Sequence, residues 1–468
     1  MQTNKIDILY LASNGFAVRM VIQTNLLGKL VESGLRVGIV SYDKEDPTLK
    51  SYCKANGVAL FAFNPTKNFY TGSYQIVRRY ALEDIRHNPA LWEKHLRNVQ
   101  DTVSRGRRLK YKAYFALYQT FTLLPFLRKL FLAYERRSIQ SAEADAFIAQ
   151  ADPSLVVSTY PVNIMESMLL KAAKPEDGRK RVIHLLSWDN ITCKGRFFQL
   201  ADRYIAWGEL MKVEFVKYYG VKPKQISITG VPHFDLHHQC KDQVEIDTLL
   251  RKIGLNPDLP YLFFGMSAPY FAPGEMDVVE RIAAWINNEV FGPIQFVVRP
   301  HPQNMQGNMA DFSWLPRLQA IESERIYVDY PRLNDSAISW SMKMDDMKQL
   351  SLLIGGSSIV LNSCSTISID ALVHNKPVLL TIFDGDQDLP WFKSVRRVAE
   401  YEHIKHIIRL GGAVKVENFD ELASDIQKFL DHADWNLEAR QRTIYAECGI
   451  QDGKATGRVI ETIKHYLE

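Results

Sequence analysis

The sequence predicts an α/β protein built from two doubly wound, Rossmann-like halves. Three observations carry that expectation. Short apolar runs alternate with helix-period segments near the N-terminus, and the alternation starts afresh near Tyr261. The chain has 468 residues, more than one ordinary core accommodates. Between the two series lies a polar stretch, 239–260, that carries Pro257 and Pro260.

The elements follow in order. Ile6 to Ala12 reads as a buried parallel strand. A loop with Gly15 leads into a helix from about Arg19 to Ser33, ended by Gly34, and Val37 to Ser41 is the next strand. Such a strand–helix–strand opening is a right-handed crossover. Further strands are expected at Val58 to Phe63, Leu155 to Ser158, Val182 to Leu186 and Tyr204 to Ala206, with a helix at Glu209 to Tyr219. The second series places strands at Tyr261 to Gly265, Gln295 to Arg299, Ile326 to Val328, Leu352 to Ile354, Ile359 to Asn362 and Pro377 to Ile382. Helices fall at Met276 to Glu289 and Thr366 to His374. Helical stretches from Phe419 to His432 and Trp435 to Leu467 close the chain. The expected domains are 1–238 and 261–468, with 239–260 as linker.

Composition narrows the function classes. Apolar residues make up 46% and charged residues 24%, the balance of a globular protein. Lys and Arg number 57 against 53 Asp and Glu, so the net charge of +4 gives no case for nucleic acid as a partner. Cys53, Cys193, Cys240, Cys364 and Cys448 are odd in number and widely spaced, which points to a reducing, cytoplasmic compartment. No signal-peptide pattern opens the chain, and no run reaches the length of a membrane span.

One region breaks the pattern. From about 91 to 151 the period is helical, an insertion in the first half. Within 105–137 stand nine cations, Arg105 to Arg137, opposed only by Glu135. Between them lies the apolar stretch Ala113 to Leu127, interrupted by Pro125. Two readings stand side by side: a helical insertion packed on its domain, or a surface seated peripherally on the anionic inner face of the cytoplasmic membrane.

Chemistry concentrates at strand ends. In an open parallel sheet the carboxyl ends of the strands form the ligand crevice. Arg299 and His301 follow the strand QFVV, where a guanidinium can neutralise a diphosphate and an imidazole can protonate a leaving phosphate. After the strand IVLN come Ser363, Ser365 and Thr366, hydroxyls at a helix start that suit a phosphate or simply cap the helix. Asp370, one turn into that helix, can accept hydrogen bonds from ribose hydroxyls.

The R-x-H-P motif, together with S-x-S-T and the following D-x-x-x-x-N-K-P, resembles bacterial CDP-glycerol glycerophosphotransferases and related surface-polysaccharide glycosyltransferases of the GT-B fold. UDP-N-acetylglucosamine 2-epimerases share a similar second half. The resemblance implies that His301, Ser363, Ser365 and Thr366 hold a donor diphosphate and that Asp370 reads the ribose. The tail Asp452-Gly453-Lys454-Ala455, with Arg458, also looks like that of these enzymes. The glycerophosphotransferases usually carry an acidic residue and Tyr before the paired hydroxyls. This chain has Asn362, Ser363 and Cys364 there, which departs from a CDP-glycerol donor.

In the first half, Trp188-Asp189-Asn190-Ile191-Thr192-Cys193-Lys194-Gly195 is similar to a W-D-N-x-T-x-K-G signature of surface-carbohydrate transferases. Trp188 offers a flat face for a sugar, Asp189 a general base for the acceptor hydroxyl, and Lys194 a cation for a donor phosphate. The alternative is a turn that Asp189 and Asn190 cap while Trp188 packs inward. Gly15, Arg19, Asn190 and His233 complete the expected acceptor side. Asp384-Gly385-Asp386 reads as a loop rather than a metal site, and no cofactor or metal is expected. No Walker loop, G-x-S-x-G or G-x-G-x-x-G occurs.

The sequence therefore predicts a GT-B glycosyltransferase with two Rossmann-like domains facing across a cleft. It would move a sugar, or a glycerophosphate-like group, from a nucleotide-activated donor to a surface-glycan or lipid-linked acceptor. The alternatives are a UDP-sugar 2-epimerase and a non-catalytic nucleotide-sugar-binding protein.

Overall fold

The structure is a computed structural model that describes residues 5–66, 72–138, 140–305, 310–334, 342–343, 345–363 and 365–468. Cys364 and the Arg137 side chain lie outside that description. Among the described residues the chain forms two compact units. The first comprises the chain up to Thr229 together with Thr456–Glu468; the second runs from Gly230 to Ala455.

The first unit holds a seven-stranded parallel sheet. Its strands are β1 (Ile6–Leu11), β2 (Val37–Ser41), β3 (Ala59–Ala62), β4 (Pro153–Ser158), β5 (Lys180–His184), β6 (Arg203–Ala206) and β7 (Ile226–Ile228), in the order β3-β2-β1-β4-β5-β6-β7. β1 is central, pairing Leu9 with Gly38 on one side and Val156 on the other. After Asp7, which pairs with Arg36 near the strand's start, its side chains are buried on both faces, as a sheet covered by crossover helices requires, and Ile8–Leu11 therefore reads as an apolar run.

The second unit holds a six-stranded parallel sheet. It contains β8 (Tyr261–Gly265), β9 (Gln295–Arg299), β10 (Ile326–Val328), β11 (Ile359–Asn362), β12 (Val378–Thr381) and β13 (Val414–Val416), in the order β10-β9-β8-β11-β12-β13. Central β8 pairs Phe263 with Val297 and Val360. In each sheet the strand order reverses beside the first strand, between β1 and β4 and between β8 and β11. Those are the topological switch points of doubly wound folds.

Several elements differ from expectation. The first helix is two, Gly15–Gln23 and Leu26–Glu32, because Asn25 turns left-handed between them at φ 51°. Leu352 to Ile354 is not a strand. It lies in the helix Asp346–Gly356, where Leu350, Leu352, Leu353 and Ile354 are all buried. An apolar triple buried all round looks the same in a helix as in a core strand. The polar stretch 239–260 contains the helix Gln243–Lys252, capped by Asp242 and fastened to the second unit by the i,i+4 pair Ile246 and Leu250. The division falls at Thr229, and the last helix, Ala455–Leu467, returns to the first unit. There Val459 and Ile463 join the core built on Ile8, Tyr10, Leu155 and Val157.

The helical region extends further back than its composition signalled. Helices Ser73–Leu82 and Pro89–Leu96 precede Arg105–Leu123, Phe126–Ser138 and Ala142–Ala151. An aromatic cluster of Tyr80, Trp92, Tyr111, Tyr114, Phe115 and Tyr118 joins the first three. Leu124 and Pro125 separate the next pair.

Candidate functional site

In the second unit the loops after β8, β9 and β11 gather at the switch point. Gly265 ends β8 against Ile367, where a Cβ would come within 2.3 Å of Ile367 Cδ1. Asn362 ends β11, and its Oδ1 accepts from the Ser365 amide at 2.7 Å and from Ser368 Oγ at 3.1 Å. Ser365 Oγ accepts in turn from the Ile367 amide at 3.1 Å. The loop is thus shaped by its own side chains, and Thr366 stands exposed at the helix start. Ser363 is buried and shares a 2.8 Å hydrogen bond with Thr381 on β12.

Arg299 differs most from expectation. Its guanidinium turns inward and is 3% exposed. It donates to Asp329, which follows β10, and to Asp346 at 2.5 Å. With both faces of the fork engaged, Arg299 clamps β9 to its neighbours and presents no free edge to a ligand. His301, two residues on, is partly exposed, and its Nδ1 accepts from the Gln303 amide at 3.1 Å.

Next to His301 lie buried polar atoms with no partner: Gln303 Oε1 and both the Oδ1 and Nδ2 of Asn304. Across the sheet, Asn362 Nδ2 is in the same state. Buried polar groups in native proteins are nearly always satisfied, so these atoms call for a partner such as water or a ligand.

Asp370 is buried, and its Oδ1 lies 2.7 Å from His237 Nε2. His237 Nδ1 lies 2.7 Å from Ser351 Oγ, which lies 3.1 Å from His374 Nε2. One proton arrangement satisfies the whole chain. His374 Nε2–H donates to Ser351, Ser351 O–H donates to His237 Nδ1, and His237 Nε2–H donates to Asp370. His374 fits this neutral form, since burial pulls its pKa down to about 2. Asp370 is therefore held rigidly by residues the sequence did not single out.

Two buried glutamates also escaped the sequence reading, and both sit at switch points. Glu275 accepts from the Ser267 amide at 2.7 Å, joining the end of β8 to the Ser363 loop. Burial pushes its pKa up to about 8, so it is neutral at pH 7 and puts no fixed anion beside Ser363. Glu166 plays the same part in the first unit. It accepts from the Ser13 amide and hydroxyl after β1 and from Ser158 Oγ and the Thr159 and Tyr160 amides after β4. A lone Glu has no motif, and only the parallel placement in two sheets gives these two meaning.

In the first unit the W-D-N loop follows β5. Trp188 is 3% exposed, so it packs inward and offers no face to a sugar. Asp189 is half-buried, accepting from Ser187 Oγ at 2.7 Å and pairing with Lys194 Nζ at 2.8 Å. The Asp189 charge raises the Lys194 pKa above its ordinary value. Lys94 lies near; burial, with Arg79 and Lys194 adding to it, pulls its pKa down to about 8. Lys194 thus pairs directly with Asp189 and Lys94 approaches from further off, while Arg79 lies with the Glu83 carboxylate beside Gly195. Asn190 is fully buried with both amide atoms unpartnered. Gly15 is buried at the start of its helix, and Arg19 lies over the Phe16 ring at 5.2 Å. His233 falls in the second unit, buried against Phe234.

The two carboxylates of Asp384-Gly385-Asp386 have separate duties. Asp384 is buried and accepts from Ser394 Oγ and the Val395 amide, while Asp386 pairs with Arg281 at 3.6 Å. Among the described residues no cluster of His, Cys, Asp and Glu could hold a metal ion.

Two parallel-sheet units of this kind define a GT-B-type α/β fold. Solved structures agree. Over 98% of this chain and all of its own, UDP-GlcNAc 2-epimerase from Neisseria meningitidis bound to UDP-GlcNAc is similar, with a TM-score of 0.56 and 11% identity. A glycosyltransferase from Rickettsia africae matches over 99% of both chains, with a TM-score of 0.51 and 13% identity. The wall teichoic acid polymerase TagF matches over 99% of this chain and 90% of its own, with a TM-score of 0.50 and 11% identity. At such identities the likeness establishes the fold alone. No family model matches the sequence, and no curated protein does.

Proposed function

We propose that the second unit binds the nucleoside diphosphate of an activated donor. The chain would then transfer the donor's sugar, or a glycerophosphate-like group, to a hydroxyl of a glycan or lipid-linked acceptor. One observation carries the reading: buried, unpartnered amide atoms of Gln303 and Asn304 in the helical turn Pro302–Met305 after β9, and Asn362 Nδ2 at the end of β11. His301, Ser365 and Thr366 would meet the diphosphate, and Asp370, fixed by His237, would meet the ribose. Arg299 in this reading is a brace. The solved relatives in fold that bind UDP-GlcNAc or act as a glycosyltransferase support the choice of donor class.

In the reaction the acceptor oxygen forms a bond to the donor's reacting carbon or phosphorus as the bond to the leaving phosphate breaks. Asp189 takes the acceptor proton, with Lys194 holding its carboxylate in place. Negative charge grows on the leaving phosphate, where His301 can return a proton.

The test is calorimetric titration with UDP, CDP and GDP. One of them should bind wild type, and His301→Ala and Asn304→Ala should each weaken it about tenfold or more, the scale of a lost hydrogen bond to charge. Unchanged affinity in both variants would remove the site. A second reading, a UDP-sugar 2-epimerase, draws on the fold relative bound to UDP-GlcNAc. Incubation with donor alone separates the two, since only an epimerase makes product without an acceptor. Nucleotide binding with neither product would leave a non-catalytic nucleotide-sugar-binding protein.

A further inference from the structure

The helices Arg105–Leu123 and Phe126–Ser138 meet at a corner whose inner and outer faces differ sharply. The inner face is locked. Tyr118 is buried, Phe131 stacks on Tyr74 at 5.7 Å, and Glu135 turns inward to pair with Arg78 at 2.6 Å. The outer face holds apolar side chains in the open. Leu123 is 79% exposed, Phe126 56%, Leu130 60% and Tyr134 50%, with Leu124 and Pro125 between the helices. Isolated exposed apolar residues need no explanation, but these run from the corner at Leu123–Phe126 along one face of the second helix at four-residue spacing.

Cations line both helices that form the corner. Arg105, Arg107, Arg108, Lys110 and Lys112 lie along the first helix and are exposed. Arg128, Lys129 and Arg136 lie along the second. None of the eight forms an ion pair with a carboxylate among the described residues, and the region's lone acidic residue is the buried Glu135. A protein partner would be met by mixed charge and a groove. A protruding apolar corner, formed by two helices that carry cations with no carboxylate partner, matches a flat, negatively charged, deformable surface with an apolar interior. No described helix is long and apolar enough to cross a membrane, so the contact is with one face.

We propose that the corner at Leu123–Phe126 docks on an anionic lipid bilayer, the apolar residues entering the headgroup boundary and the cations resting on the lipid phosphates. The test is co-sedimentation of the full chain with phosphatidylcholine vesicles, with and without phosphatidylglycerol, across a salt series. Binding is expected to the phosphatidylglycerol vesicles and to weaken as salt rises. The triple variant Lys112→Gln/Lys129→Gln/Arg136→Gln removes three cations and should lower partitioning about a hundredfold. The triple variant Leu123→Ser/Phe126→Ser/Leu130→Ser should also lose binding. Both sets are exposed, so both variants should keep the wild-type melting temperature, which serves as the folding control. No sedimentation at low salt, or equal binding to phosphatidylcholine alone, would overturn the proposal. Full binding by the apolar variant would reduce the contact to charge adsorption and overturn the insertion.

Discussion

Replacing Arg299 by Met distinguishes a brace from a ligand contact. The guanidinium lies between Asp329 and Asp346, whose side chains are 2% and 1% exposed. After the change each carboxylate keeps one other hydrogen bond, Asp329 from Gln349 Nε2 at 2.6 Å and Asp346 from the Arg332 amide at 3.1 Å. Asp329 loses its counter-charge, and Asp346 keeps only the more distant Arg332 Nε at 4.0 Å. Breaking a buried pair by removing one member costs about 3–5 kcal/mol, and two carboxylates sharing one guanidinium put Arg299→Met toward the upper figure. For a unit of this size that lowers the melting temperature by about 6–20 °C. The assay is differential scanning calorimetry, following the second unit's transition. Adding Asp329→Asn and Asp346→Asn should recover much of the loss, since the uncompensated charges are then gone. An unchanged melting temperature combined with a large loss of nucleotide affinity would refute the reasoning and return Arg299 to the diphosphate.

Two further outcomes follow from buried groups. Glu275 has a folded-state pKa of about 8 against an ordinary 4.5, so the folded chain holds a proton that the unfolded chain has lost. Its contribution to stability is fully present below pH 4.5 and is lost as pH rises to about 8. Glu275→Gln should flatten the second unit's melting temperature over that range; an unaltered slope would mean that Glu275 is ionised in the fold. Ile463→Ala should cost about 2–5 kcal/mol as a buried cavity, and the loss should appear in the first unit's transition. A shift confined to the second unit's transition would contradict the placement of the last helix.

The sequence by itself determined most of the strands, though not β13 at Val414–Val416, a three-residue edge strand with Lys415 at its centre. β2, β8, β9, β10 and β11 fall at the residues expected, because a doubly covered parallel strand must be a continuous apolar run and that signal is local. It also determined which loops to watch, since strand ends are where such folds bind ligands. What it could not do was assign partners. Leu352 to Ile354 has the apolarity of a strand, and only packing on all sides makes it helical. Arg299 was read toward a ligand because its neighbours in sequence are a strand and a turn; the carboxylates that hold it come 30 and 47 residues later. His237 reaches Asp370 across 133 residues, and Lys94 approaches Asp189 from the helical region. The orientation of the corner between Leu123 and Phe126 was equally undecided, because a sequence period shows that a helix has two faces but not which is covered. Secondary structure follows from short-range periodicity, whereas the charge and burial that decide what a side chain does come from residues brought near only by the fold.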